Sequence, residues 1–343
     1  MISLQARVVV FGRRSHSVLD SNSPASTIQL NPVMSDATVP PPFVPQAPFQ
    51  GPGGDVILRS SDGIDFYVYR IVLSLASPVF EHMFGSSQPP SESDTLPVVP
   101  MAESAIILDR SLRFFYPGAE PVVDSVGQLC DILELLIGKY DTQSLVSLGK
   151  RFLRDYIDAE PLACFAVAIR LGWQDIARTA ARKCLSLPLL TPTHKLPNVW
   201  KNAPGTAYYH LLQYHYRCGE AARASWKDLS WVNSPETNEG IWETQACRCT
   251  RYLEASCHLP GTKGYGTMVW FIQYLQASAE MAAINPSPDI IDDCSLISKA
   301  LQGIQNCPDC KGRMSKVLPE FISTQWWPHI KSEIAKVELD LEF

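Results

Sequence analysis

The stretch that decides the fold is Asp55-Val56-Ile57-Leu58-Arg59-Ser60-Ser61-Asp62-Gly63-Ile64-Asp65-Phe66-Tyr67-Val68-Tyr69. Two short apolar runs, Val56 to Leu58 and Phe66 to Val68, flank an Asp-Gly turn, which predicts a β-hairpin. Downstream, Leu73, Leu75, Ala76, Val79, Phe80, Met83 and Phe84 recur at mixed three- and four-residue spacing, and Ser77-Pro78 resets the chain direction among them. Two short helices meeting at an angle are expected, with Ser77 as N-cap and Pro78 in the first helical turn. The polar run Gln88 to Asp94 reads as a loop, and Leu96 to Met101 as a third strand whose prolines confine it to an edge or its ends. Ile106, Leu108, Leu112, Phe115 and Tyr116 then repeat at helical period until Pro117-Gly118. Val126 to Tyr140, Ser144 to Tyr156, Pro161 to Leu171 and Asp175 to Leu185 continue as helical hairpins.

In this order, these elements resemble the BTB/POZ domain. The resemblance is carried by Asp55-Val56-Ile57, Phe66 to Leu73, Ser77-Pro78-Val79-Phe80, Met83-Phe84 and Leu108 to Gly118, with Tyr69-Arg70 in place of the family's His-Lys pair. Leu58 to Gly63, Leu73 to Pro78 and Phe115 to Gly118 are similar to a set of fungal, basidiomycete BTB-domain proteins. The resemblance implies an α+β fold, a small β-sheet capped by helical hairpins, and a protein-binding module rather than a catalyst. It also implies candidate interaction residues at Asp55, Asp65 and Arg70, because a charged pair near those places lines a dimer groove in the family. Read from the residues alone, the same three are exposed turn acids and a solvated arginine. Dimerisation by a swapped N-terminal strand and helix is not expected, since Pro40 to Gly54 stands in that place. Recruitment of a cullin-type ubiquitin-ligase scaffold lacks its apolar-x-Glu pattern here, because Phe84 is followed by Gly85-Ser86-Ser87.

Outward from the hairpin, residues 1–52 are Pro- and Ser-rich and are expected to be a disordered, extended segment. The BTB-like domain is expected over residues 53–157, a helical extension over 158–187, a Pro-rich linker over 188–204 and a helical, Cys- and Trp-rich C-terminal domain over 205–343. In the last stretch Ile330, Ile334, Val337 and Leu341 have helical spacing opposite Lys331, Glu333, Lys336 and Glu338, so it should dock on that domain or pair with another chain.

With 343 residues, 46% hydrophobic and 19% charged, the chain has apolar surface enough to order most of its length. A net charge of -6 without a local basic patch argues against nucleic acid as a partner. No run approaches the roughly 20 apolar residues of a membrane span, so a soluble protein is expected. Arg7, Arg13, Arg14 and His16 surround only the short apolar run Val8 to Phe11, which reads as a plain tail rather than a targeting signal. The 10 cysteines, without a signal peptide or Asn-x-Ser/Thr acceptor, suggest free thiols in cytosol or nucleus.

The chemistry that could be hidden lies late in the chain. Cys247-Arg248-Cys249 and Cys307-Pro308-Asp309-Cys310 are compact pairs that could close a four-thiolate structural zinc site, with Cys257 and His258 as substitute ligands. Ordinary buried thiols are the alternative. A cysteine-dependent enzyme would draw on Cys257 with His215 or His258. Gly261 to Gly266 lacks the Gly-Lys-Ser/Thr ending of a phosphate loop, and Ser147-x-x-Lys150 sits in an amphipathic helix without companion motifs. The expected function is therefore a non-enzymatic interaction adaptor or scaffold with protein partners, homodimer formation included. A zinc-stabilised regulator, a cullin substrate adaptor and a cysteine enzyme are the alternatives.

Overall fold

The computed structural model describes residues 43–51, 53–85, 96–119, 121–189, 195–229, 231–232, 250–251, 267–287, 294–312 and 314–341. The hairpin forms as β1 (Val56–Arg59) and β2 (Asp65–Val68), antiparallel with Leu58 opposite Phe66, its turn using Gly63 at φ 83°. Alternation places Val56, Leu58, Phe66 and Val68 on the buried face. β3 (Val98–Pro100) joins parallel to β1, so the sheet order is β2-β1-β3 and the proline-bearing strand lies at an edge.

Helices α1 (Arg70–Ala76) and α2 (Pro78–Gly85) meet at Ser77. The Ser77 hydroxyl accepts from the Phe80 N–H at 3.2 Å and donates to the Tyr140 carbonyl, which fixes both the corner and its distance from the helical layer. Phe80 stacks on Tyr140 with centroids 4.5 Å apart. Then follow α3 (Ala105–Leu112), α4 (Val126–Leu133) continuing as a π-turn over Glu134–Lys139, α5 (Val146–Asp155), α6 (Pro161–Arg170) and α7 (Gln174–Cys184). The C-terminal region holds α8 (Gly205–Ala224), a two-residue ladder of β4 (Thr250–Arg251) and β5 (Thr267–Met268), and α9 (Val269–Ile284), α10 (Cys294–Gln305), α11 (Pro308–Lys311), α12 (Met314–Phe321) and α13 (Trp327–Ala335). The chain is thus a BTB-like three-stranded sheet with helices, followed by a helical C-terminal region, as the α+β reading expects.

Two clusters of buried apolar side chains result. One gathers Phe49, the sheet's inner face, Leu73, Phe80, Leu108 and Leu112. The other runs from Phe114 and α4 through α6 and α7 into α8, α9 and α13, ending at Leu339. Phe115 packs against both.

The structure adds detail at three places. Phe49, inside the stretch expected to be extended, is fully buried; its ring meets Tyr116 edge-on at 5.2 Å, and its carbonyl accepts the Tyr67 N–H at 3.3 Å. Within residues 188–204, Asn198–Asn202 forms a 3-10 turn that buries Val199 and Trp200. The Trp200 Nε1–H donates to the Leu162 carbonyl at 3.1 Å, and its ring stacks on Phe165. The expected C-terminal amphipathic helix stops at Ala335, and residues 337–341 are not helical. The reason is a second periodicity: Val337, Leu339 and Leu341 alternate with Glu338 and Asp340, which suits an extended chain better than a helix.

Candidate interaction surface

Asp55 and Arg70 do come together, through the backbone rather than through charge. Tyr69, the N-cap residue of α1, has no side-chain oxygen that reaches the orphan N–H groups of the first turn. Asp55 supplies one from the strand side, its Oδ1 accepting the Arg70 N–H at 2.7 Å, while its own N–H donates to the Val68 carbonyl. The Tyr69 N–H is taken by the Tyr116 hydroxyl at 2.8 Å, and burial pushes that phenol upward in pKa. The same device serves α3, where the Ser104 side chain makes no capping bond and Asp62 Oδ1 of the hairpin turn accepts the Ala105 N–H at 2.8 Å.

Arg70 extends over the Phe84 ring, 5.9 Å from its centroid, and its Nε is buried without a hydrogen-bond partner among the described residues. Asp65 is held by Arg59 across the hairpin in a two-point pair, Nε to Oδ1 at 2.6 Å and Nη2 to Oδ2 at 2.8 Å. That hydrogen bond lowers the Asp65 pKa and raises that of Arg59. The three residues therefore have separate structural roles and form no single charged pair.

Sequence reasoning missed the surface that α1 itself presents. Capped at its start and closed at Ser77, the helix buries Leu73 but leaves Ile71 at 61% and Leu75 at 81% exposure, one turn apart, with Tyr69 beside them at 48%. The signal was present as apolar residues on both faces of a seven-residue helix, more than one core stripe needs. The sheet edge is a poorer contact. The Met101 N–H donates inward to the Arg59 carbonyl, so residues 98 and 100 point their backbone outward, and Pro100 has no N–H to offer.

Of the expected zinc ligands, Cys247 and Cys249 lie outside the described residues, as do the substitutes Cys257 and His258. Cys307 and Cys310 are both buried at the start of α11, and Cys310 Sγ lies 3.7 Å from Met268 Sδ. Among the described residues, no group of three or more His, Cys, Asp or Glu side chains is placed to hold a metal. His215, the base considered for a cysteine enzyme, is 1% exposed, and neither ring nitrogen has a partner of hydrogen-bond geometry among the described residues. Burial pushes its pKa below the usual 6.5, against a weaker opposing pull from the Leu187 main chain. Burial likewise raises Cys130 and Cys164 to about 12 and Cys218 to about 11, which keeps these thiols protonated. Lys150, of Ser147-x-x-Lys150, is engaged by Asp175 at 2.8 Å. The Gly-rich stretch 261–266 and residues 86–95, where the cullin-type pattern would fall, are outside the described residues.

A family model described as the BTB/POZ domain matches residues 50–156. No curated protein matches the chain. Domains of this family are protein–protein interaction modules that also mediate dimerisation, and they are generally non-enzymatic.

Proposed function

Residues 50–156 being a BTB/POZ domain, we propose that the protein is a non-enzymatic adaptor that self-associates through the outer face of α1, with Tyr69, Ile71 and Leu75 as its apolar contacts. The observation that carries this reading is the exposure of Ile71 and Leu75 on a helix whose other face is already in the core. Burying each against a second copy is worth about 1.5–3 kcal/mol, enough to anchor a small interface when its rim is polar. Arg70, half-buried over Phe84 at the start of α1, supplies a polar group for such a rim.

Sedimentation of the full chain tests it. Self-association is expected at micromolar concentration, and the double substitution Ile71→Asp, Leu75→Asp is expected to yield a monomer with unchanged circular dichroism. A monomeric parent, or a double variant that still associates, refutes the reading.

A structural zinc on Cys247, Cys249, Cys307 and Cys310 is a second reading. It is favoured by the burial of Cys307 and Cys310 three residues apart. Stoichiometric zinc by elemental analysis, with loss of helicity on chelation, is its expected result; metal-free folded protein ends it.

A further inference from the structure

Val337 to Leu341 runs beyond α13 with its side chains in strict alternation. Leu339 is buried, Val337 and Leu341 are partly buried against the same core, and Glu338 and Asp340 are exposed. Two arginines from different helices read its backbone. Arg178 Nη1 on α7 donates to the Leu339 carbonyl at 3.0 Å, and Arg217 Nη2 on α8 donates to the Glu338 carbonyl at 2.8 Å. Arg217 also pairs with the Asp340 carboxylate at 2.9 Å. Main-chain bonds along an extended segment, with alternate side chains in pockets, are the elements of peptide recognition.

The fit is incomplete. A cavity of about 360 Å³ remains between the segment and the helices, lined by Arg178, Arg182, Tyr214, Val337, Glu338 and Leu339. Arg182 is exposed at its edge, its side chain directed to the Tyr214 hydroxyl, and no carboxylate of the described residues pairs with it. One cation of the three is therefore unused by the segment that occupies the groove.

We propose that this groove of α7 and α8 is a docking site for an extended peptide of a partner protein in which aliphatic residues alternate with acids, and that Val337–Leu341 occupies it in cis as a weaker surrogate. Arg217, paired with Asp340, and the uncommitted Arg182 select acids, Arg178 holds the main chain, and the pocket holding Leu339 selects an aliphatic side chain at the centre. A partner acid that enters the cavity gains Arg182, a pairing the chain's own Glu338 leaves unmade, and this difference drives exchange. Release of the segment withdraws one buried side chain, Leu339, and two partly buried ones, Val337 and Leu341, so the opening is local. The residues involved are distinct from the face of α1, so the two readings stand or fall separately.

The test is fluorescence anisotropy of a labelled, blocked Val-Glu-Leu-Asp-Leu peptide with the full chain. The Leu339→Asp chain, its own segment expelled, is expected to bind at least ten-fold more tightly than the unaltered chain. Adding Arg178→Ala and Arg217→Ala is expected to weaken that binding at least ten-fold. A folded Leu339→Asp chain with no gain, or a scrambled peptide that binds equally, overturns the proposal. Should Leu339→Asp fail to fold, hydrogen exchange on the unaltered chain decides: millimolar peptide is expected to speed exchange at residues 338–341, and unchanged exchange overturns it. A dimer that forms by exchanging this segment between two copies, abolished by Leu339→Asp, overturns the partner reading in favour of self-exchange.

Discussion

Asp55 and Asp62 show why an acid's role depends on what it accepts from. Each sits in or beside the hairpin, and each takes the first N–H of a helix that has no capping side chain of its own. Replacing Asp55 with Ala should cost about 1 kcal/mol, within the range for lost N-caps, while Asn should retain most of it. The urea midpoint of the two variants measures this, and equal midpoints for Ala and Asn would show that charge near Arg70, not the cap, matters. Asp62→Ala should act in the same direction at α3. In the sequence Asp55 stands out as a candidate interaction residue; that it accepts a main-chain N–H depends on where α1 begins, which local pattern does not settle. His215 yields a pH prediction at the same scale. Its folded pKa lies below the unfolded value of about 6.5, so the unfolded chain binds more protons between the two values. The stability it contributes is complete above about pH 6.5 and is lost as pH falls toward the folded pKa. His215→Leu should flatten the fall in urea midpoint between pH 7.5 and 5.5. A residual slope is expected from His329, whose pKa burial also lowers.

Helices α8 and α9 are held together by a close approach that only glycine permits. A Cβ at Gly219 would stand 2.5 Å from the Ala283 carbonyl oxygen, a backbone atom that cannot yield without moving α9. At Gly149 the nearest obstacle, also at 2.5 Å, is a Leu133 methyl, which can rotate away. Gly219→Ala should therefore destabilise by about 1–3 kcal/mol and Gly149→Ala by less, as thermal unfolding would show. The reverse order would mean that the helix pair slides more easily than a core leucine repacks. The hairpin, the α1–α2 corner, the edge strand and the run α3 to α7 were legible because each follows from local period and punctuation, Ser77-Pro78 and Asp62-Gly63 above all. The π-turns at Glu134–Lys139 and Ile322–Trp326 were not, since the apolar pattern continues through both. Near the second, Pro328 offers a physical cause: it lacks an N–H, and in a regular α-helix its ring would crowd the carbonyl four residues back, a clash that a widened turn avoids. The apolar residues on both faces of α1 are visible in the sequence, but which of them stay exposed is a property of the packed whole.

Across the whole molecule, the larger apolar cluster does not respect the end of the family match at residue 156. Leu129, Leu133 and Leu153 before it are fully buried together with Phe165, Ile176 and Cys184 after it, and Trp200 locks the set from a stretch that reads in sequence as linker. Pro188, Pro197 and Pro204 made that stretch look like a spacer, whereas one indole that donates to the Leu162 carbonyl and stacks on Phe165 ties it to α6. The helices α4 and α5 of the BTB/POZ domain thus share their core with the C-terminal region, and Phe115 bridges that core to the sheet. Trp200→Ala removes a large, nearly buried ring, for which a loss of about 3–5 kcal/mol is expected. Because its contacts are with the shared core, the whole near-UV and far-UV transition should shift together to lower temperature. A chain cut after residue 157 should unfold well below the parent and aggregate, having exposed the faces of α4 and α5. If instead Trp200→Ala splits the melt into two steps and the higher one matches the shortened chain, the sheet and its first helices fold on their own, and the common core is a contact surface rather than a condition of folding.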